Sequence, residues 1–334
     1  MKESTKGISI VLTVHDQEEQ LRQNLPLLLS QHYEPGYEVV VVDESSTDGT
    51  ADVLKQLKAE YPHLYTTYLP SSSHYLSRRK MALTLAIKAT RHEWVIVTEP
   101  DCMPESEDWL ATLAEGLTDE VDAVCVYTPY IKDTQDHYAY LRMLTFWRQQ
   151  RCPYRYDGAC LAIRKSAFMS RNGFLQNLQY LRGEYDFLVN ETDRDRIASL
   201  TMTSNRLLQD EPSDKTWTNR QLYYMNIRSR LRRAWLPRLL FTIWQAGLHL
   251  TYLLLVAAIV VTALRQQYIL TAVASSLLLA VIALQILFGY RLCKTYGEHI
   301  ALWKLPLLDL GVAWHYAGYG LRYLRANKSD FLRK

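Results

Sequence analysis

Residues 95–104, V-I-V-T-E-P-D-C-M-P, end an apolar run in two carboxylates, Glu99 and Asp101, on either side of Pro100. In an extended backbone alternate side chains share a face, so both acids can point toward one hard cation. Pro100 stiffens the corner that presents them. An α/β sheet binds ligands at the C-terminal edge of its buried strands, and a metal-bound diphosphate suits this pair. The plain alternative is a surface turn with two solvated acids; the apolar W-V-I-V leading into the turn weighs against it. Asp43 closes a second apolar run and precedes the polar turn E-S-S-T-D-G-T. It can accept hydrogen bonds from a nucleoside base or ribose, or only cap the following helix. Ser77-Arg78-Arg79-Lys80 opens a helical pattern, where backbone N–H groups and basic side chains favour an anion. Lys80 lies one turn from Ser77 on the same face and is the one expected to meet phosphate; a solvated basic turn is the ordinary alternative.

The elements that must position these residues alternate along the chain. Residues 8–15 (I-S-I-V-L-T-V-H) and 38–43 (E-V-V-V-V-D) are near-continuous aliphatic runs that fit strands buried on both faces. Between them, 18–31 carries leucines at 21, 25 and 28, a helical spacing, which makes a βαβ unit with a right-handed crossover. A helix over 51–61, a strand over 64–69, a helix over 77–90 and a strand over 93–98 follow. Further on come a strand over 121–128, a helix over 138–151, and a short strand entering a helix over 158–168. This alternation predicts a doubly wound, mostly parallel α/β sheet.

The apolar residues are unevenly placed. Residues 239–264 and 268–290 are two uncharged runs separated by Arg265-Gln266-Gln267, and about 20 apolar residues cross a bilayer core. They read as a transmembrane helical hairpin; two buried helices of a soluble core are the alternative. Arg228, Arg230, Arg232, Arg233 and Arg238 precede it and Arg291 and Lys294 follow it, against Arg265 alone between the spans, so both outer flanks are expected to be cytoplasmic. The third apolar stretch, 301–324, is interrupted by Lys304, Pro306, Asp309 and His315. An acid at mid-bilayer costs about 2.5 to 3.5 kcal/mol, so an interfacial amphipathic helix is expected rather than a third crossing. The expected divisions are 1–230 for the soluble domain, 231–298 for the hairpin and 299–334 for the interfacial helix and basic tail. With no signal peptide opening the sequence, the soluble domain is expected to be cytoplasmic. Five cysteines without C-x-x-C spacing argue against a disulfide framework or a zinc site. A net charge of +3 gives no nucleic-acid footprint.

The motifs S-I-V-L-T-V-H-D-Q-E-E, V-V-V-D-E-S-S-T-D-G-T, L-S-R-R-K-M-A-L-T-L-A-I-K, T-E-P-D-C-M-P and G-A-C-L-A-I-R-K-S-A-F, with Asn172-Gly173-Phe174, stand in a specific order. In that order the chain resembles family 2 glycosyltransferases of the nucleotide-diphospho-sugar transferase (GT-A type) fold, from residue 8 to about 230. The resemblance implies a UDP- or GDP-sugar donor, Mg²⁺ or Mn²⁺, and an inverting single displacement. It would put Val14 and Asp16 by the nucleotide, Asp43 on base or ribose, Lys80 by the diphosphate, and Asp101 on the metal with Glu99 beside it. The usual motif has Asp where Glu99 stands, so Glu99 would contact the metal through water, or the ribose. The family's Glu-Asp pair corresponds to Arg182-Gly183-Glu184-Tyr185-Asp186, with Tyr185 in the base position. A phenol is a poor base at neutral pH, so Asp186 is the expected base, with Glu184 second. Trp217 and Arg220 would lie near the acceptor. The processive-synthase signature is missed by one residue in Arg230-Leu231-Arg232-Arg233-Ala234-Trp235, which implies one sugar per encounter.

Anchoring such a domain at a bacterial inner membrane would bring it to a lipid-linked or cell-envelope glycan precursor. Two rivals differ in class. A nucleotidyltransferase should carry a Gly-rich loop after the first strand, where this chain has His15-Asp16-Gln17-Glu18. A catalytically inactive, membrane-anchored nucleotide-sugar or carbohydrate-binding scaffold would account for Glu99 and Tyr185.

Overall fold

The computed structural model describes residues 6–70, 77–131, 135–327 and 331, so most of the end of the expected basic tail lies outside them. The chain runs β1 (Ile8–Val14), α1 (Glu18–Leu29), β2 (Tyr37–Asp43), α2 (Thr50–Glu60), β3 (Leu64–Tyr68), α3 (Arg78–Ala89), β4 (Trp94–Thr98), β5 (Cys102–Pro104), α4 (Trp109–Ala114), β6 (Ala123–Val126), α5 (Asp136–Arg151), β7 (Cys160–Arg164), α6 (Lys165–Ser170), α7 (Glu184–Glu191), β8 (Ile197–Leu200), β9 (Leu207–Gln209), α8 (Asp214–Ile227), α9 (Trp235–Leu264), α10 (Tyr268–Tyr296) and α11 (Leu305–Arg325). Seven strands form one sheet in the order β3-β2-β1-β4-β7-β6-β8. β3, β2, β1 and β4 are mutually parallel, β7 is antiparallel to β4 and β6, and β8 is parallel to β6. This is the expected doubly wound, mostly parallel sheet.

The aliphatic runs serve both faces because side chains alternate. Val11, Val40, Val42, Val95 and Val97 pack on one face against Leu83 and Ile87 of α3 and Met143 and Phe146 of α5. Ile10, Leu12, Val39, Val41 and Ile96 pack on the other against Leu21 and Leu25 of α1, Val53 of α2 and Trp109 of α4. The parallel strands therefore end together, and their C-terminal edge carries Asp43 and the Glu99–Asp101 turn. Val14 stands opposite Asp43 in register.

Two small strands escaped the sequence pattern. β5 and β9 pair antiparallel, with Cys102 opposite Gln209, and at three residues each they are too short to show a period.

α9 and α10 are long and apolar enough to cross a membrane, and within their most apolar stretches 0% and 11% of residues are buried in the protein. Core helices of a soluble domain would be mostly buried, so that alternative is not what the fold contains. α11 packs against α8, α9 and α10. Its Asp309 is 4% exposed and accepts from Gln285 Nε2 of α10 at 3.0 Å and Gln245 Nε2 of α9 at 3.4 Å. Amides from both hairpin helices thus receive the acid that made this segment look unfit for an apolar setting.

Candidate active site

The turn after β4 is fixed from two sides. Asn24 Nδ2 of α1 donates to Pro100 O at 2.9 Å, and Cys102 N donates to Glu99 O at 3.1 Å. The β5–β9 ladder then brings Gln209 beside Asp101, where Nε2 donates to Oδ1 and Oδ2 at 3.1 and 3.0 Å. Arg142 of α5 sets that amide: Nη2 donates to Gln209 Oε1 at 2.7 Å and Nη1 to Thr128 O at 2.8 Å. With its oxygen so engaged, the amide must turn its nitrogen toward the acid.

Glu99 and Asp101, paired by the sequence reading, have different partners. Glu99 forms an ion pair with Arg79, whose Nε also lies 4.0 Å from Glu184 Oε2. Burial pushes Glu99 up, but the charge and hydrogen bond of Arg79 outweigh it and hold the carboxyl below its ordinary value. Asp101 has no ion-pair partner among the described residues. Burial, with the neighbouring Glu99 charge adding to it, pushes Asp101 up against the opposing Gln209 and Arg220.

These residues line a cavity of about 400 Å³ together with Asp157, Glu184, Asp186 and Arg220. Gly183 caps the start of α7 with φ +95°, a left-handed conformation that favours glycine. The Glu184 and Asp186 side chains are both buried. Asp186 Oδ1 accepts from Tyr156 N at 3.2 Å and lies 3.4 Å from Arg155 Nε; Arg155 also pairs with Asp157 at 3.3 Å. Burial pushes Asp186 up to about 6 in spite of Arg155. Glu184 Oε1 is buried without a hydrogen-bond partner among the described residues. Tyr185, between them in sequence, is pushed well up by burial and by Glu99, which leaves its phenol unsuited to take a proton.

The ends of β1 and β2, where the nucleotide is expected, are latched together. Asp16, at φ +51°, accepts from Thr47 N at 2.6 Å, and this bond leads the interactions that hold its carboxyl below the ordinary value. Asp43 accepts from Ser46 N at 2.8 Å and Ser46 Oγ at 2.7 Å. Val14 is fully buried, and its carbonyl accepts from Glu44 N at 2.8 Å, so it shapes the edge from within the sheet. None of these three lines the 400 Å³ cavity, which reaches this edge through Gln17.

Lys80 departs from the phosphate role expected of it. It is fully buried, and Nζ donates to the carbonyls of Asn177 at 3.1 Å, Tyr180 at 2.5 Å and Arg182 at 3.1 Å. Burial lowers it to about 8. Successive helical residues are rotated by about 100°, and it is Arg79, one residue earlier, that lines the cavity. Lys80 anchors the loop before α7. Sequence reasoning also missed Gln209, Arg142, Arg155 and Asp157. For Asp157 a signal existed, since it immediately precedes the motif G-A-C-L-A-I-R; Gln209 and Arg142 gave none, being isolated polar residues in unrelated segments.

The sequence profile of glycosyl transferase family 2 matches residues 9–177, just over half of the chain and the part that carries the β4 turn. The chain belongs to glycosyl transferase family 2. No match was found among curated proteins. Among solved structures, this family 2 member is similar to the mannosyltransferase PcManGT from Pyrobaculum calidifontis in complex with GDP-Man and Mn²⁺, at 16% identity and TM-score 0.51, covering 66% of this chain and 61% of that one. That likeness supports a GT-A type fold, and the chain spans about three fifths of the mannosyltransferase. S. aureus TarS 1-349 in complex with UDP-GlcNAc follows at 15% identity and TM-score 0.49, with 66% and 65% covered. Glucosyl-3-phosphoglycerate synthase from Mycobacterium tuberculosis, in complex with Mn²⁺, UDP and glucosyl-3-phosphoglycerate, stands at 15% and 0.46, with 69% and 82% covered.

Among the described residues of this family 2 chain, no group of three or more His, Cys, Asp or Glu is placed to hold a metal ion. Asp101 is nevertheless a buried carboxylate without a paired cation. A divalent ion bound through one carboxylate and the oxygens of a diphosphate and water fits that arrangement, and this is how Mg²⁺ is commonly held. Glu99, neutralised by Arg79, fits a supporting place better than a direct ligand.

Proposed function

We propose that this protein is a membrane-anchored, inverting glycosyltransferase that moves one sugar from a UDP- or GDP-sugar to a hydroxyl of a lipid-linked acceptor. The observation that carries the reading is the convergence of Asp101, Arg220, Glu184 and Asp186 on one cavity at the ligand-binding edge of the sheet. α9 and α10 supply the anchor, and the arginines at 228–238 suit an anionic cytoplasmic face.

Asp101 would hold the Mg²⁺ or Mn²⁺, which when bound neutralises charge growing on the departing diphosphate. Arg220, half-buried with Nη1 donating to Tyr130 Oη at 3.3 Å, adds a fixed positive charge on the same wall. The Arg79–Glu99 pair holds Arg79 in place while cancelling the charge of Glu99. Asp16 and Asp43 would frame the nucleoside from the strand ends. Asp186 would take the proton of the acceptor hydroxyl as its oxygen bonds to the anomeric carbon from the face opposite the diphosphate. As that bond forms, the bond from the anomeric carbon to the diphosphate oxygen breaks, its electron pair leaves with the nucleoside diphosphate, and the configuration inverts.

The deciding experiment is calorimetry of full-length protein in a neutral maltoside with UDP- and GDP-sugars, with and without Mn²⁺, followed by a nucleotide-release assay with lipid extract. One donor should bind with Mn²⁺ dependence and release nucleotide, and Asp101→Asn should lose the metal dependence and at least 100-fold in turnover. Donor binding with no release under any acceptor condition would instead favour the inactive scaffold.

A further inference from the structure

Between α5, α8, α9 and α11 lies a second cavity of about 620 Å³. Three arginines, Arg148, Arg228 and Arg238, line it, and no Asp or Glu does. Arg148 lies 3.7 Å over the Phe241 ring. Arg238 is oriented by its own neighbourhood, with Nε donating to Ala234 O at 2.9 Å and Nη1 to Arg228 O at 2.8 Å. Three like charges gathered without a carboxylate are stabilised by an anion, and guanidinium groups suit phosphate in particular. Gln245, 4% exposed, contributes an Oε1 that has no hydrogen-bond partner among the described residues.

Most of the rest of the wall comes from α9 and α11 and is apolar or aromatic, with Phe241, Ala246, Ala313 and Trp314 beside the polar Thr242 and His249. Small residues of α9 and α11, among them Ala246, Ala317 and Gly320, leave the space open. This combination of an arginine cluster and an apolar slot between apolar helices matches a lipid with a phosphate at its head. The position of the cavity matters as much as its chemistry. Tyr224 lines both this cavity and the catalytic one. Arg155 stacks 3.7 Å over the Tyr224 ring while its Nε lies 3.4 Å from Asp186.

We propose that this cavity is the acceptor site: it holds the phosphate of a membrane lipid among Arg148, Arg228 and Arg238, with the aliphatic chain between α9 and α11. The sugar hydroxyl carried beyond that phosphate then passes Tyr224 to reach Asp186. The assignment rests on the glycosyltransferase reading for the identity of the reacting group, and on the cavity alone for the binding of a lipid phosphate.

The test uses full-length protein in a neutral maltoside, titrated calorimetrically with decyl phosphate, decanol and inorganic phosphate. Decyl phosphate should bind at least tenfold more tightly than either of the others. Arg148→Gln with Arg238→Gln should weaken it tenfold or more. Ala317→Phe, which fills the slot without touching charge, should do the same; circular dichroism and the thermal midpoint report folding for both variants. Equal binding of inorganic phosphate or of decanol would overturn the lipid-phosphate assignment, as would variants that are folded and bind like wild type. If decyl phosphate binds as expected while no nucleotide sugar does, the lipid site stands and the glycosyltransferase reading fails instead.

Discussion

Asp186 and Lys80 show how burial decides what a charged side chain does. A general base must be ionised to act, and burial places Asp186 at about 6. We expect kcat/KM to be level above about pH 7 and to fall about tenfold per unit below about pH 6. Asp186→Asn should abolish transfer while donor binding measured by calorimetry survives; a variant that kept turnover and the acidic limb would assign the proton to Glu184. At Lys80 the three carbonyl acceptors predict a structural phenotype. Lys80→Met leaves them unpaired in the interior and should cost about 3 kcal/mol in denaturant unfolding, with little change in the donor affinity of the folded fraction. A large affinity loss at unchanged stability would restore the phosphate contact read from the sequence.

At the scale of the elements, α7 carries both candidate bases and is fixed at its two ends. Its start depends on Gly183, where a Cβ would stand 2.4 Å from Ile227 Cδ1 of α8. Gly183→Ala should cost about 1–2 kcal/mol for the left-handed backbone alone, and the clash should shift α7 against α8. We expect kcat to fall more than donor affinity, a split that steady-state kinetics beside calorimetry would read. Near its other end, Asn190 Nδ2 donates to Arg232 O at 2.7 Å and Arg232 N donates to Asn190 Oδ1 at 2.8 Å. The acid-bearing helix is thereby tied to the segment that enters α9. The strands and helices of the first half were legible because strands such as β1 and β2 are near-continuous aliphatic runs and helices such as α1 carry their apolar residues on one side. β5, β9 and α7 were not, since a three-residue strand or a helix buried on several sides leaves no period to read.

For the molecule as a whole, the domain and the hairpin share one core. Leu292 and Tyr296 of α10 and Leu305 and Val312 of α11 cluster with Tyr127, Phe146 and Trp217 of the domain. The Tyr127 and Tyr296 rings lie 4.6 Å apart, and Tyr127 Oη donates to Glu298 Oε1 at 2.7 Å. A chain ended at residue 230 would expose this face, so we expect it to aggregate or elute as oligomer in size-exclusion chromatography. A monodisperse, donor-binding fragment 1–230 would show that the shared core is dispensable. The divisions at 231 and 299 were drawn from hydropathy, which marks where apolar residues lie; what those residues pack against is added by the fold.

Local order in the sequence determined the parallel sheet, the acids at its edge, the two membrane-length helices and the family, because strand alternation, helix spacing and uncharged length are short-range properties of neighbouring residues. Only the tertiary structure decided that Glu99 is neutralised by Arg79, that Gln209 and Arg142 orient Asp101, and that Lys80 serves a loop. It alone also placed an arginine-lined cavity against the same tyrosine as the acid pair. Each of these joins residues far apart in the chain, and the charge and hydrogen-bonding state of a buried group depends on which distant partner the fold brings within reach.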